Sequence, residues 1–581
     1  MYIYNAPAAL CGRRFCLYFR HMQLPMMPYR LLVLLLFFPL ATRAQAPRYV
    51  ISFTDKGHSP YSISNPSPYL SARALERRQR MHLDIDSTDL PVTAAYTDSL
   101  LAAGNVKLLY TSRWFNQAII QTSDAAALQK ILQMPFVKSS SAAMQRTNAN
   151  VYTSKFNSQR TAAITETAPS DYGNGYTQIH LHNGGYLHNK GYTGQGMLIA
   201  VLDEGFPGVD TNAGFAALRN ANGIVQTFGF STADANVYAS GIHGAECLSI
   251  MAAHLPGQLI GTAPDARYAL YQTEEAATEQ PIEENNWAAA AERADSLGAD
   301  IISSSLGYST FDNPAYDYTY ADMNGRTSLV SKAATMAARK GMIVVNANGN
   351  EGSTAWHYLT TPADADSILA VGAVTSTRMP AAFSGYGPAA DGRIKPDVAA
   401  MGQATALLNT NGSVVTGNGT SFATPVMAGL VACLWQAYPQ VSNIRLLQVI
   451  RACSDHYTAP DSRVGYGIPD FKLAFDTLAK VTAADSALIA QRLDNGTLRA
   501  LPNPFTTTLH IYYAAHGNDP VQLALYNALG QLVRRQTVAA PANGLGTTEW
   551  NDTGSLAPGP YFLHYVQGSA RAGTKLIKLN Q

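Results

Sequence analysis

Four polar residues, far apart in the chain, carry between them the groups that acyl transfer needs. Asp203 closes the apolar run Ala200-Val-Leu-Asp203, and His243 opens the stretch HGAECLSIMAA. Asn350 ends Asn346-Ala-Asn-Gly-Asn350, and Ser421 lies in GNGTSFATP, where glycine-rich backbone leads into an apolar helix. A serine hydroxyl is a weak nucleophile until an imidazole takes its proton. The imidazole in turn needs a carboxylate on its other nitrogen to fix its tautomer and stabilise the imidazolium. The tetrahedral oxyanion needs donors, which the Asn350 amide and the Ser421 backbone N–H at a helix N-terminus can supply. Taken singly, each residue has an ordinary reading: an Asp after a strand is usually a cap, and a Ser before a helix an N-cap. Together, in the order Asp…His…Ser, they match one class of serine hydrolase and exclude two others. An esterase of the α/β-hydrolase type would need Gly-x-Ser-x-Gly and the order Ser…Asp…His, and Ala423 and the observed order contradict it.

These groups need a scaffold, and residues 171–480 read as one. Near-continuous apolar runs at 197–203, 300–307, 342–350 and 368–375 are bounded by Gly or polar residues, as expected of parallel strands buried on both faces. Helical segments at 243–253, 287–297 and 328–339 lie between them. The expected fold is α/β, a doubly wound, mostly parallel sheet, whose strands carry ligand-binding residues at their carboxyl ends. Residues 47–147 alternate strand and helix (RYVISF from 48, ALERRQRM from 74, AIIQT from 118, the amphipathic run 124–134) and read as a small α+β unit. A polar stretch at 148–170 reads as a linker, as does 481–500. From 501 to 581, short alternating runs separated by Gly, Asn and Pro turns predict a small β-sandwich.

Composition agrees with several globular domains. The chain has 581 residues, 47% hydrophobic and 14% charged, too apolar and too nearly neutral for dominant disorder. Lys+Arg 41 against Asp+Glu 40, a net charge of +1, lends no support to nucleic-acid binding. The apolar run 31–41 (LLVLLLFFPLA) follows Arg30 and precedes TRAQA. At about 16 Å as a helix it is too short to span a bilayer and reads as the core of a signal peptide ending near 46. Residues 1–21 read as an upstream extension, with Met22, Met26 or Met27 as the true start. That start leaves Cys247, Cys433 and Cys453, which form neither a disulfide framework nor a metal spacing and read as buried thiols.

The segments IAVLDEGF, HGAECLSIMAA, SSSLGY, NGNEG and GNGTSFATPVMAGLVA, in that order, resemble the signatures of subtilisin-type serine peptidases (subtilases, peptidase family S8). The resemblance implies a serine endopeptidase with Ser421 as nucleophile, His243 as general base and acid, Asp203 as orienting carboxylate and Asn350 as oxyanion donor. It implies that Ser305-Leu306-Gly307 pairs with the backbone of a protein or peptide substrate, and that Ala347-Asn348-Gly349 lines the other side of the pocket before the scissile bond. No cofactor is required for catalysis; structural calcium is common among such proteins, but no position here identifies a site. The N-terminal unit resembles the family's inhibitory pro-domain, and residues 69–92 are similar to that region in secreted Bacteroidota-type members. The tail resembles the type IX secretion sorting domain, through LPNPF at 501–505, YNALG at 526–530 and KLIKL at 575–579. It implies export through periplasm and outer membrane by that machinery, to the surface or the medium. A catalytically impaired peptide-binding protein with the same fold is the alternative. It would need a broken triad or oxyanion donor, and the sequence shows neither.

Some positions depart from the pattern. Ala245 stands where Thr is usual, and Glu204 where a small residue is usual; a second carboxylate there is expected to raise the His243 pKa. Asn348 replaces a common Ala and is expected to narrow or polarise the pocket. Glu351 either reaches the pocket rim and favours a basic or polar side chain, or is an ordinary solvated carboxylate. The insertion 308–326 reads as a surface loop shaping substrate access; its Asp312, Asp317, Asp322 and Asn324 offer oxygens to Ca²⁺ but match no EF-hand spacing. His254, His357 and His456 read as structural. Cys247 lies one turn beyond His243 on the same helix face, where packing is the expected role.

Overall fold

The parallel sheet has seven strands, in the order Val398–Met401, Leu369–Val374, Ile343–Ala347, Ile301–Ser304, Leu198–Asp203, Arg267–Gln272, Ile224–Gly229. Every pairing is parallel. The computed structural model describes residues 46–144, 160–162, 171–239, 241–493 and 496–579; the signal-peptide reading, apart from Ala46, and most of the 148–170 linker lie outside them. Alternate side chains of each strand enter opposite layers, as the two-residue period requires. Ile199, Val201, Ile301, Val345 and Val371 pack with the helices His243–Ala252 and Thr420–Ala437 on one face. Leu198, Ala200, Leu202, Ile302 and Val344 pack with Ile282–Leu297 and Leu329–Arg339 on the other. Strand order reverses between Leu198–Asp203 and Ile301–Ser304, the topological switch point where open α/β sheets form their ligand crevice.

Residues 46–144 form a four-stranded antiparallel sheet in the order Lys107–Ser112, Gln117–Gln121, Arg48–Phe53, Val137–Met144. One face (Ile51, Phe53, Ala118, Ile120) packs with Leu100, Ala127 and Ile131 of its own two helices, Ala94–Ala102 and Ala125–Leu132. The other (Val50, Ile119, Ala143) meets Ile282 of the α/β domain. A third helix, Ala72–Arg80, capped by the Ser71 side chain, turns four arginines toward the same domain, Arg73 and Arg80 to Asp300 and Arg77 and Arg78 to Asp295.

That contact is ionic and buried. Asp295, with its side chain 0% exposed, receives Arg77, Arg78 at 2.9 Å and Arg113 at 2.7 Å. Arg78 also pairs with Asp89, which binds Lys340 at 2.8 Å. Glu292 accepts from the Ser112 hydroxyl at 2.5 Å and from the Arg113 and Trp114 N–H groups at 2.6 and 3.3 Å. Arg48, at the start of an inner strand of the N-terminal sheet, bonds Glu275 and the Ser231 carbonyl.

The C-terminal region packs a three-stranded sheet (Leu498–Leu501, Leu509–Ala514, Leu545–Trp550) on a four-stranded one (Leu532–Val538, Val521–Asn527, Gly559–Gln567, Ala570–Lys578). Phe505 of the LPNPF motif plugs the core between them. Asn503 clasps the last strand, donating to the Lys575 carbonyl and accepting from Ile577 N–H, both at 2.9 Å. The stretch 481–500, read above as a linker, is helical as far as Leu493, in the helix Phe471–Leu493. Its Ala, Leu and Gln residues carry strong helix propensity that outweighs the Ser, Thr and Asp content suggesting a linker.

Replacing Asp295 with Asn would leave three buried guanidiniums around a neutral amide. Such a loss costs about 3–5 kcal/mol, so urea unfolding of the full-length precursor should show a destabilisation of that order. Burial alone would raise the Asp295 pKa, but Arg77, then Arg78 and Arg113, hold it below its ordinary 3.8. A depressed carboxylate stabilises above the unfolded value, and that contribution disappears as pH falls through the folded one. The Asn variant should therefore have lost most of this acid dependence.

Candidate active site

Asp203 closes the strand at the switch point and is fully buried. Its Oδ1 accepts from His243 Nδ1 at 2.8 Å and from the Glu204 N–H at 2.8 Å. His243 begins the helix His243–Ala252, and Gly244 lets that helix approach the strand end. A Cβ on Gly244 would stand 2.4 Å from the Gly205 carbonyl oxygen and 2.8 Å from Asp203 Cβ.

Glu204 turns its carboxylate to the helix rather than the imidazole, accepting the His243 backbone N–H at 2.9 Å. It caps the first turn, where a negative charge also meets the positive end of the helix dipole. Burial pushes the Glu204 carboxyl above its ordinary value, against that hydrogen bond and the charge of His243. Burial would lower the His243 pKa, yet the Asp203 carboxylate beside it lifts the value well above 6.5. The Cys247 thiol is pushed up to about 11 by burial.

Ser421 is the second residue of the helix Thr420–Ala437, which contains Pro425. Proline has no N–H, so it cannot bond the carbonyl four residues earlier, which is that of Ser421. Two side chains take the place of the missing donor: the Ser305 hydroxyl at 2.7 Å and the Cys247 thiol at 3.4 Å. The Ser421 hydroxyl donates in return to the Ser305 carbonyl at 3.3 Å. The nucleophile candidate is thus fastened to the strand end after Ile301–Ser304 and to the helix that carries His243, whose ring lies 5.7 Å from that of Phe422.

Asn350 faces this serine. Its Oδ1 accepts from Thr420 N–H at 2.8 Å and from the Thr420 hydroxyl at 3.0 Å. The backbone N–H can only donate, so the oxygen of the amide must face Thr420 and the NH₂ must face away. A Cβ on Gly419 would lie 3.7 Å from Asn350 Nδ2 and 3.6 Å from Ser421 N. Both nitrogens therefore border space that the glycine leaves open.

Ser305, Leu306, Gly307, Ala347, Gly349, Asn350 and Ser421 line one cleft. Asn348 does not; its side chain is fully buried and donates to the Gly385 carbonyl at 2.7 Å. Contrary to expectation, Asn348 neither lines the pocket nor narrows or polarises it: successive residues point to opposite sides of extended backbone, and its neighbours hold the cleft side. Glu351 is a cleft residue, and Thr360, Glu274 and Glu279 join it. Thr360 was invisible to sequence reasoning, because only the fold carries it back against Gly307 and Gly349. The insertion carboxylates are engaged separately. Asp317 accepts from Phe311 N–H, Asp322 caps Thr319, Asp312 holds Gln280, and Asn324 caps its own turn. His357 bonds the Gly352 carbonyl and stacks on Tyr386, and His456 pairs with Asp455. Cys247, Cys433 and Cys453 are buried and free.

A carboxylate-bound imidazole, a serine at a helix N-terminus and two N–H donors bordering one open space, gathered at the switch point of a parallel sheet, suit nucleophilic acyl transfer. Residues 194–467 match the subtilase family, 48–162 the Bacteroidota peptidase S8 propeptide domain, and 499–579 the secretion system C-terminal sorting domain. Subtilisin from Bacillus pumilus is 30% identical over 265 residues, which cover 45% of this chain and 84% of that one. Subtilisin NAT from Bacillus subtilis subsp. natto is 30% identical over 265 residues, 45% of this chain and 61% of its own length; the chain thus spans about three fifths of that relative. The crystal structure of MycP1 from Mycobacterium smegmatis matches 56% of this chain and 89% of its own at 20% identity, with a TM-score of 0.43, too loose a likeness to bear on function. The chain belongs to the subtilase family. Its C-terminal sorting domain marks it for export to the cell surface or the medium.

Changing Ser305 to Ala would leave the buried Ser421 carbonyl with the weaker thiol donor alone. A loss of about 1–3 kcal/mol is expected in denaturant unfolding. Cys247→Ala should cost less than Ser305→Ala, and the two should couple in a double-mutant cycle because they share one acceptor.

Proposed function

We propose that this chain is an exported serine endopeptidase that hydrolyses peptide bonds through an acyl-enzyme on Ser421. The observation that carries the reading is the buried 2.8 Å bond between His243 Nδ1 and Asp203, which fixes the tautomer so that Nε2 is the nitrogen that acts as base. Rotation of the Ser421 hydroxyl away from the Ser305 carbonyl brings its proton to Nε2. The oxygen then attacks the scissile carbonyl, whose developing charge falls between Asn350 Nδ2 and Ser421 N–H. The imidazolium, stabilised by Asp203, gives the proton to the leaving amine. Water then repeats the sequence to release the acyl group. Substrate backbone would add to the edge at Ser305-Leu306-Gly307 as an extra strand, with Ala347 and Gly349 across the pocket.

The N-terminal domain acts in this reading as an intramolecular inhibitor, held by the Asp295 and Glu292 contacts until the linker is cut. The C-terminal domain is the part addressed to the type IX secretion machinery. A fluorophosphonate probe should label the chain expressed without its signal peptide, and intact-mass analysis should show loss of the N-terminal domain. Ser421→Ala should neither label nor mature. A folded, trimmed protein that takes no label would instead favour a peptide-binding role for the same fold.

The general base works only when neutral, and Asp203 raises its pKa. The acid limb of kcat/KM should therefore lie above pH 6.5. Asp203→Asn should move that limb down and lower kcat by roughly 10⁴-fold, as loss of the triad carboxylate does elsewhere. For stability the sign is reversed. A raised imidazole pKa stabilises the fold below the unfolded value, and the contribution is lost as pH rises through the folded one. pH–rate profiles beside pH–stability curves separate the two effects.

A further inference from the structure

The part of the cleft before the scissile bond is walled by two glycines, Gly307 and Gly349. Two oxygens beside them have no protein donor: Thr360 Oγ1, which faces both glycines, and Glu351 Oε2, which faces Gly349. Thr360 is only 2% exposed, although its backbone N–H is bonded to the Asn348 carbonyl at 3.2 Å. Its hydroxyl oxygen stands 2.0 Å from the position a Cβ on Gly307 would take and 3.0 Å from that on Gly349. Glu351 Oε2 is 2.6 Å from the same Gly349 position. Both walls must therefore be glycine, and what lies between them is a slot floored by oxygen. Buried oxygens without partners cost free energy until a donor arrives. Among the described residues lining the cleft are three glutamates, Glu274, Glu279 and Glu351, and no lysine or arginine.

We propose that this slot selects lysine at the substrate position immediately before the scissile bond, its ammonium bonding Glu351 Oε2 and Thr360 Oγ1. The inference rests on the peptidase reading above. An ammonium brings three donors on a slender stem, whereas a guanidinium or an aromatic ring is planar and broad, and the Thr360 side chain closes the width such a group needs. Leucine and phenylalanine would cover both oxygens without satisfying either. A site built for hydrogen bonding rejects ligands that lack the donor more strongly than an apolar pocket rejects a misfit. Burial lifts the Glu351 carboxyl above its ordinary value, which an incoming cation would reverse.

The test uses the full-length chain after maturation, with active sites counted by fluorophosphonate labelling. Peptides identical except for Lys, Arg, Gln, Leu or Phe before the cleaved bond give kcat/KM for each. Lysine is expected to exceed leucine and phenylalanine by about 10- to 100-fold, the scale of a charge-assisted hydrogen bond. Glu351→Gln should lower the Lys/Leu ratio by about 10-fold or more, chiefly through KM. Thr360→Gly should widen the slot and raise Phe and Arg relative to Lys. Labelled enzyme that prefers Leu or Phe, or a Lys/Leu ratio that Glu351→Gln leaves unchanged, overturns the lysine assignment and spares the peptidase reading. Failure to label the mature wild-type protein overturns both.

Discussion

One carbonyl oxygen, that of Ser421, holds the site together. In an uninterrupted helix it would bond the N–H four residues on, but Pro425 has none. A buried carbonyl left unpaired costs about 1–3 kcal/mol, and proline inside a helix has its own penalty. The structure offsets both by turning two neighbours inward, Ser305 from the strand edge and Cys247 from the helix of His243. A defect in one helix thereby fixes three elements with respect to each other. The cysteine's place one turn beyond His243 follows from this geometry: its thiol faces both the imidazole nitrogens, at 3.8 and 3.9 Å, and the Ser421 carbonyl.

Close approach supplies the rest of the precision. The bond between Asp203 and His243 is short because Gly244 admits the strand end to the first turn of the helix. Glu204 then compensates the orphaned N–H of His243 at that crowded junction. Glycine acts similarly at Gly429, where a Cβ would stand 2.0 Å from Thr262 Oγ1. The long helix behind Ser421 thus lies against the loop that follows the His243 helix. Parallel pairing sets the register of the strand ends, and glycine sets how near the helices come to them.

Much of this was legible in the sequence, for identifiable reasons. The strands ending at Asp203, Ser304 and Ala347 are buried on both faces and read as apolar runs. Three strands are not legible there: Ile224–Gly229 and Arg267–Gln272, where Gln226, Thr227, Tyr268 and Gln272 break that pattern, and Val398–Met401, which is only four residues long. The helix Ile282–Leu297 was read only from Trp287, since its first turns carry Glu283, Glu284, Asn285 and Asn286. Those residues are buried, and much of their polarity is met by distant partners: Glu284 accepts from the Tyr318 hydroxyl and the Leu329 N–H, and Asn286 donates to the Thr273 carbonyl. No local pattern announces such partners. Asp203, His243, Asn350 and Ser421 were visible because each sits in a distinctive local frame. Thr360 has no such frame, and the inward turn of Asn348 depends on where Gly385 returns.

The pro-domain interface raises a different physical question, why an arginine–aspartate cluster occupies a place where apolar packing is often as stabilising. The proposed role of this domain, an inhibitor that leaves after cleavage, gives one answer. An apolar interface of this extent would expose a hydrophobic patch on both separated partners, which invites aggregation. Arg77, Arg78 and Arg113 on one side, and Asp295 and Glu292 on the other, instead regain water when parted. Their pairing is strong only while water is excluded, and any cut that admits solvent weakens all the contacts together. Removing one partner in place leaves a buried charge and is costly, whereas separating the two surfaces entirely restores hydration to each. An interface of paired charges can therefore be both specific in the intact precursor and releasable after cleavage, and it works beside apolar contacts: Val50, Ile119 and Ala143 on Ile282, Met81 against one core of the α/β domain and Trp114 against the other.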